Sequence, residues 1–251
     1  MIIKSPTAAD LPALRRLWQQ AFGDPDSFVD RFFAKGFSAD RCRCLWENKL
    51  PAAALYWFDC SYKAQKLAYI YGVATDTAFR RKGFCRQLMA DTLQHLAILG
   101  YAGVVLVPAG EALRSFYGQM GFCNFGGIQE FTCLQSGQSI ALRKIAAEEY
   151  AALRKDYLPE GSVLQEGAAM DFLSTYTDFY AGDNILFSLY REEDSAFIAE
   201  FLGDVSLAAS VLQALNIPQG RFRIPGNDPF AMYYPLTDPF QIPAYFGHAL
   251  D

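Results

Sequence analysis

No apolar stretch of the 251-residue chain reaches the ~18 to 20 residues that a spanning helix needs, which excludes a helical integral membrane protein. The opening residues, MIIKSPTAADLPALRRLW, turn polar after three positions and carry no apolar signal core. An excess of basic charge is also missing. Lys and Arg number 22 against 27 Asp and Glu, a formal charge of −5 with a pI near 5.1, and this argues against a general nucleic-acid binder. Disorder is excluded by a hydrophobic share of 52% against 20% charged. There is no C-x-x-C pair and no Cys/His cluster of the kind that holds zinc. The six cysteines, Cys42, Cys44, Cys60, Cys85, Cys123 and Cys133, sit mostly inside apolar or strand-like runs. They read as free buried thiols, so the expected compartment is a reducing cytoplasm.

The length allows one large domain or two modest ones. Met1 to Lys4 reads as a short strand, and Thr7 with Asp10 forms a start signal for a helix through about Phe22. Gly23-Asp24-Pro25 ends that helix; Asp26 to about Phe37 reads as a second. Arg41 to Trp46 and Ala52 to Asp59 form a hairpin about a turn at Asn48-Lys49. Leu67 to Thr75 is rich in aromatic and β-branched residues and reads as a strand. Beyond it, Leu88, Met89, Leu93 and Leu96 give a helical stripe with Gly100 at its stop. Ala102 to Val107 has the continuous apolar character of a buried parallel strand, and Glu111 to Met120 reads as a helix. This is an α/β unit built on one crossover. Ser136-Gly137 is the best linker, dividing the chain into 1–138 and 139–251. The second part has its own hairpin, Asn184 to Tyr190 with Ala196 to Leu202, a helix at Val205 to Leu215 and strands at Arg221 to Ile224 and Phe230 to Tyr234. That order loosely echoes residues 41–107, as an eroded duplication would.

Arg80-Arg81-Lys82-Gly83-Phe84-Cys85-Arg86 lies where the strand ending at Thr75 turns into a helix. The first amides of a helix have no internal partners and point outward as a positive cap, which suits phosphate. A glycine lets that phosphate approach the backbone, and four cations add charge to an otherwise acidic chain. A solvated basic helix start is the competing explanation. The run is neither G-x-G-x-x-G nor G-x-x-x-x-G-K-[ST], so dinucleotide and P-loop sites lack their fingerprints.

The run resembles motif A of the GNAT superfamily of acyl-CoA-dependent N-acetyltransferases, [Q/R]-x-x-G-x-[G/A], with Arg80, Gly83 and Cys85 in the defining places. Cys85 departs from the small third residue. Downstream, Phe116-Tyr117-Gly118-Gln119-Met120-Gly121-Phe122 is similar to the F-Y-x-x-x-G-F ending of motif B. The phrases G-V-A-T and V-P are most similar to the branch containing the enhanced-intracellular-survival acetyltransferases. The asparagine frequent after the motif B strand is replaced by Pro108-Ala109-Gly110-Glu111. The resemblance covers roughly residues 1 to 135. It implies a mixed α/β (α+β) sheet of the acyl-CoA N-acyltransferase type, followed by a smaller second lobe that reads as a degenerate GNAT half.

It also implies acetyl transfer from acetyl-CoA, the co-substrate, to a primary amine on a small molecule or a lysine, with no metal. Val73, Ala74 and Thr75 would pair with the pantetheine arm, and an N–H there, that of Val73, would hold the thioester oxygen. Arg80, Arg81, Lys82, Gly83, Phe84, Cys85 and Arg86 would seat the pyrophosphate. Tyr117 takes the general-acid place, a phenol protonated at neutral pH; its alternative role is core packing. His95 stands twelve residues past Gly83, roughly 18 Å along the helix, too far to serve as base. The remaining bases are a chain of waters, His248 and the terminal carboxylate of Asp251, with a frayed tail as the competing reading of those last residues. Asp24, Asp26 and Asp30 would suit a cationic amine or form a solvated helix face. Tyr56, Trp57, Phe58, Tyr69 and Tyr71 are aromatic walls or sheet packing. The expected partner is the amine acceptor, with neither nucleic acid nor membrane; a homodimer is an open arrangement. A non-catalytic acyl-CoA-binding regulator is the alternative to the enzyme.

Overall fold

A computed structural model describes residues 1–238 and 241–250. The elements in chain order are β1 (Ile2–Lys4), α1 (Leu11–Phe22), α2 (Asp26–Arg31), β2 (Cys42–Glu47), β3 (Leu50–Tyr62) and β4 (Gln65–Thr75). Next come α3 (Phe84–Ile98), β5 (Gly103–Leu106), α4 (Glu111–Gly118), β6 (Cys123–Leu134), β7 (Leu142–Ile145), α5 (Ala147–Tyr157) and β8 (Leu164–Gln165). The last are α6 (Ala168–Leu173), β9 (Asp178–Gly182), β10 (Ile185–Arg191), β11 (Ser195–Gly203), α7 (Ala208–Leu215), β12 (Gln219–Pro225) and β13 (Asp228–Pro235). Two compact units result: Met1–Cys123 with Met232–Gln241, and Asn124–Ala231 with Ile242–Asp251.

The first unit is a mixed sheet in the order β1-β2-β3-β4-β5-β13. β1 to β4 pair antiparallel, β4 and β5 pair parallel, and Met232–Pro235 of β13 runs antiparallel to β5. Local chemistry sets its boundaries. The Asp10 carboxylate accepts both the Thr7 amide and hydroxyl at 2.8 Å, and α1 follows one 3-10 turn later. Asn48 and Lys49 both have positive φ, the twist that a two-residue hairpin needs. α3 ends in a Schellman arrangement: Gly100 is left-handed, its amide donates to Ala97 O, and the Tyr101 amide donates to Leu96 O, both at 3.1 Å. The α3 stripe packs Leu88, Met89, Leu93 and Leu96 against Leu55, Trp57, Ile70, Val104 and Leu106. The expected helix through Phe37 is tightly wound only to Arg31. Residues Phe32–Gly36 continue it as one wide π turn.

The second unit repeats the strand sequence with different residues. β7, β9, β10 and β11 pair antiparallel, β11 and β12 pair parallel, and β6 closes the other edge of β12. Its core joins Ile185, Phe187, Ile198, Phe201 and Phe222 to Val211 and Leu212 of α7. The Phe122-to-Phe125 and Ile128-to-Leu134 strands expected from sequence are continuous as β6.

A charged cluster is enclosed there. Arg154 donates from Nε to Glu200 Oε2 at 2.6 Å and from Nη2 to Oε1 at 2.7 Å, and both side chains are fully buried. Tyr150 and Tyr245 donate their hydroxyls to the same carboxylate at 2.7 and 3.1 Å, and His248 Nε2 lies 3.3 Å from it. Burial alone would push the Glu200 carboxyl up, but Arg154 and His248 outweigh it and hold it well below the ordinary range. Removing its charge would leave Arg154 uncompensated, so Glu200→Gln is expected to cost about 3–5 kcal/mol. Burial also pushes His248 down, with Glu200 partly offsetting it. The unfolded chain therefore binds a proton at His248 that the folded one refuses, so this contribution to stability is lost as pH drops below ~6.5. The Glu200 contribution is lost only in stronger acid, as pH falls through its lowered folded value. Urea melts above and below pH ~6.5 check the first step; a flat stability across that range would contradict it.

Candidate functional site

The parallel ladder of β4 with β5 runs from Leu67↔Gly103 to Ile70↔Leu106, while β4 continues to Thr75. On its other side β4 bulges. Tyr71 stands opposite Tyr56 and Ala74 opposite Ala54, so two residues, Gly72 and Val73, face Leu55 alone. The strand thus bends where its parallel partner stops, leaving the β5-facing backbone after Ile70 without a β5 partner. Gly72 makes this bend feasible, with φ +59 and no room for a side chain: a Cβ would lie 2.6 Å from the Trp18 ring. Gly72→Ala combines left-handed strain with overpacking and is expected to cost about 2–4 kcal/mol, read as a lower Tm. An unchanged Tm would mean that the bulge is not formed.

Past Thr75, Asp76 accepts the Ala78 amide at 2.8 Å and starts a 3-10 turn over Thr77–Phe79. Arg81 and Gly83 then take positive φ, +63 and +78, and α3 begins on Gly83 with no side-chain cap. Its first amides therefore remain available. The space above them is open, since a Cβ on Gly83 would meet only Gln87 Nε2, at 4.0 Å. Arg80 donates to Thr75 O at 3.3 Å, and the Lys82 ammonium sits 4.9 Å from the Phe79 ring. Arg86 donates to Gln119 Oε1 at 3.1 Å and lies over Phe116 at 5.4 Å. Among the described residues none of Arg80, Arg81, Lys82 and Arg86 is paired with a carboxylate. Positive charge and free amides converge on one helix end, which is what an anionic ligand needs. Burial pushes the Cys85 thiol up to about 11, with Arg86 acting against it. It is a packing thiol rather than a nucleophile.

Arg86 links this helix start to α4, which carries Tyr117. The Tyr117 ring is 6% exposed, between Phe116 at 5.5 Å and Phe122 at 5.8 Å. After α4 the chain turns sharply. The amides of Met120 and Phe122 both donate to Tyr117 O, and Gly121 takes φ +94 against the Tyr234 ring. The Tyr117 hydroxyl makes no hydrogen bond to a described residue. Burial, with the nearby Cys85 adding to it, raises its pKa. The phenol is protonated at any working pH.

Other candidates are tied up elsewhere. Asp24 accepts from Trp18 Nε1 at 2.7 Å, Asp26 from Gln19 and Asp30 from Arg15, so these carboxylates bind α2 and its approach to α1. Tyr56, Phe58 and Tyr71 ring the Trp18–Phe32 pair on one sheet face, whereas Trp57 points to the other and donates to the Tyr101 hydroxyl at 3.1 Å. His95 lies near the far end of α3 beside Trp57. His248 is enclosed in the second unit's charged cluster, and the tail around it is packed rather than frayed. Asp251 falls outside the described residues. Sequence reading passed over Gly72, although a lone glycine inside a strand run is the signal of a bulge. Among the described residues no group of three or more His, Cys, Asp or Glu is placed to hold a metal ion. No helix among them is long and apolar enough to cross a membrane.

A mixed sheet whose parallel pair parts at a bulge, next to an uncapped glycine-led helix, defines an acyl-CoA N-acyltransferase type of fold. Residues 2–124 match the family described as Acetyltransferase (GNAT) domain, so this part of the chain is similar to the GNAT acetyltransferases. A search of curated proteins returns no match. Solved structures extend the likeness in fold over nearly the whole chain. A GCN5-related N-acetyltransferase from Anabaena variabilis is 16% identical with TM-score 0.71, covering 94% of this chain and 73% of that one. A counterpart from Kribbella flavida is 14% identical with TM-score 0.68, covering 92% and 70%. Eis1 from Mycobacterium abscessus, of the branch expected from the sequence, is 10% identical with TM-score 0.65, covering 91% and 66%.

Proposed function

We propose that the chain transfers an acetyl group from acetyl-CoA to a primary amine by direct attack. The observation that carries this reading is the run from the bulge of β4 to the open, uncapped start of α3, with the Tyr117 helix tied to it through Arg86. The edge of β4 at Val73, Ala74 and Thr75, which β5 does not pair, offers backbone groups to an amide-bearing arm, as a sheet offers them to an added strand. An N–H at the bulge, that of Val73, holds the thioester oxygen as it gains negative charge. Arg80, Arg81, Lys82, Phe84, Cys85 and Arg86 surround the pyrophosphate, with Gly83 giving it access to the amides. That binding holds the acetyl carbon in position for the amine. Tyr117 supplies the proton that the departing thiolate needs; its hydroxyl, unbonded among the described residues, supports this role over simple packing.

The test is thiol release from acetyl-CoA with a panel of small amines and lysine peptides. Amine-dependent release is expected. Tight CoA binding with no release for any amine would favour an acyl-CoA-binding regulator and defeat the transferase reading.

A further inference from the structure

The second unit has a cleft of the same construction, and something different has happened to it. In both units a bulge falls where a parallel ladder stops: β4 after Ile70↔Leu106, β11 after Ile198↔Phe222. On β11, Ile198 faces Leu189 and Glu200 faces Ser188, leaving Ala199 as the extra residue. As Asp76 does after β4, Asp204 starts the turn that follows β11, but this turn runs straight into α7, with no glycine and no Lys or Arg between 204 and 215. Asp204 Oδ1 accepts the Ser206 amide at 3.0 Å and the Ser206 hydroxyl at 2.7 Å. The glycine-led, cation-bearing helix start of the first unit thus has no counterpart here, and nothing at the start of α7 attracts a phosphate.

The bulge itself faces the chain's own C-terminal segment. The Ala244 amide donates to Gly161 O at 2.8 Å and the Val163 amide to Tyr245 O at 2.9 Å, a parallel bridge of Tyr245 with Ser162. Gln165 Nε2 donates to His248 O at 2.8 Å. The side chains of Tyr245 and His248 converge on Glu200, the residue just past the bulge. Between them Gly247 passes so close that a Cβ would collide with Glu200 Oε1 and the Tyr245 hydroxyl. Backbone pairing, two side chains that recognise one buried carboxylate and a glycine fixed by close approach are the elements of peptide recognition.

We infer that the second unit uses its bulged cleft as a receptor for the chain's own segment Ala244–Leu250, and takes no acyl-CoA there. The comparison with the first cleft rests on the transferase reading above, whereas the tail contacts do not depend on it. Hydrogen–deuterium exchange on the full-length protein tests the receptor. The amides of Ala244 and Val163, which carry the backbone bridge, are expected to exchange at least ~10³-fold more slowly than in a free peptide, unchanged on dilution of the protein. His248→Ala, and separately Tyr245→Phe, should cut that protection at least ~10-fold while leaving the β4 amides as they are. Exchange at the free-peptide rate in the unmodified protein would overturn the inference. So would protection that falls on dilution, which would mean that the tail comes from a second copy. Calorimetry with CoA on the same sample should give one site per chain, and two sites would overturn the closed cleft. A protected tail with no CoA bound at all would support the receptor while removing the transferase reading.

Discussion

Tyr117→Phe is expected to lower kcat by about 10²–10³-fold, or ~3–4 kcal/mol of barrier, with KM for acetyl-CoA little changed. Two properties of the site lead to this split. The ring is one of the core residues between Phe116 and Phe122, and phenylalanine preserves that packing, so the helix and the cleft should survive the change. The hydroxyl has no partner to lose among the described residues, so its removal orphans no buried group. What remains is loss of a proton donor at the step where the thiolate leaves. Because burial raises the phenol's pKa, the tyrosine-dependent limb of the rate profile should lie above pH ~10, with the acid form active below it. Thiol release measured over a pH series separates this from a packing role. Turnover equal to that of the unmodified protein would remove Tyr117 from the mechanism.

Local patterns carried much of the first unit. The α3 stripe, the Gly100 stop, the Asn48-Lys49 turn and the Thr7–Asp10 start all depend on residues within a few positions of one another. Gly83 was legible for the same reason, as a glycine among cations after a strand. The features that escaped are those decided by distant partners. Met232–Pro235 lies against β5, a pairing across more than half of the chain that no periodicity records. Glu200 interrupts an otherwise apolar strand, yet its meaning depends on Arg154 and His248, which come from α5 and the tail. Asp24, Asp26 and Asp30 read equally as an edge for a cationic amine or a solvated helix face, because their partners Trp18, Gln19 and Arg15 stand on the preceding helix. Composition predicts that charges will find partners; only the fold selects which.

Gly83→Val is expected to weaken CoA binding by at least ~10²-fold, about 2.7 kcal/mol or more, while the protein stays folded. The native backbone at this position has φ +78, where a β-branched residue is strained by roughly 1–2 kcal/mol. For a chain of this size that strain corresponds to a fall in Tm of only a few degrees. No neighbour would be struck within the protein, since the nearest atom to a new Cβ is Gln87 Nε2 at 4.0 Å. The larger cost falls on the ligand. The isopropyl group would stand over the amides that open α3, in the space the pyrophosphate requires, and would hold its oxygens beyond hydrogen-bonding distance. The cations at 80, 81, 82 and 86 would remain, but exposed charges in water do not replace directed amide contacts. Calorimetry of CoA binding beside a thermal melt resolves the two effects. Unchanged affinity would place the phosphates elsewhere, and a large loss of Tm with it would show that Gly83 is required by the fold rather than by the ligand.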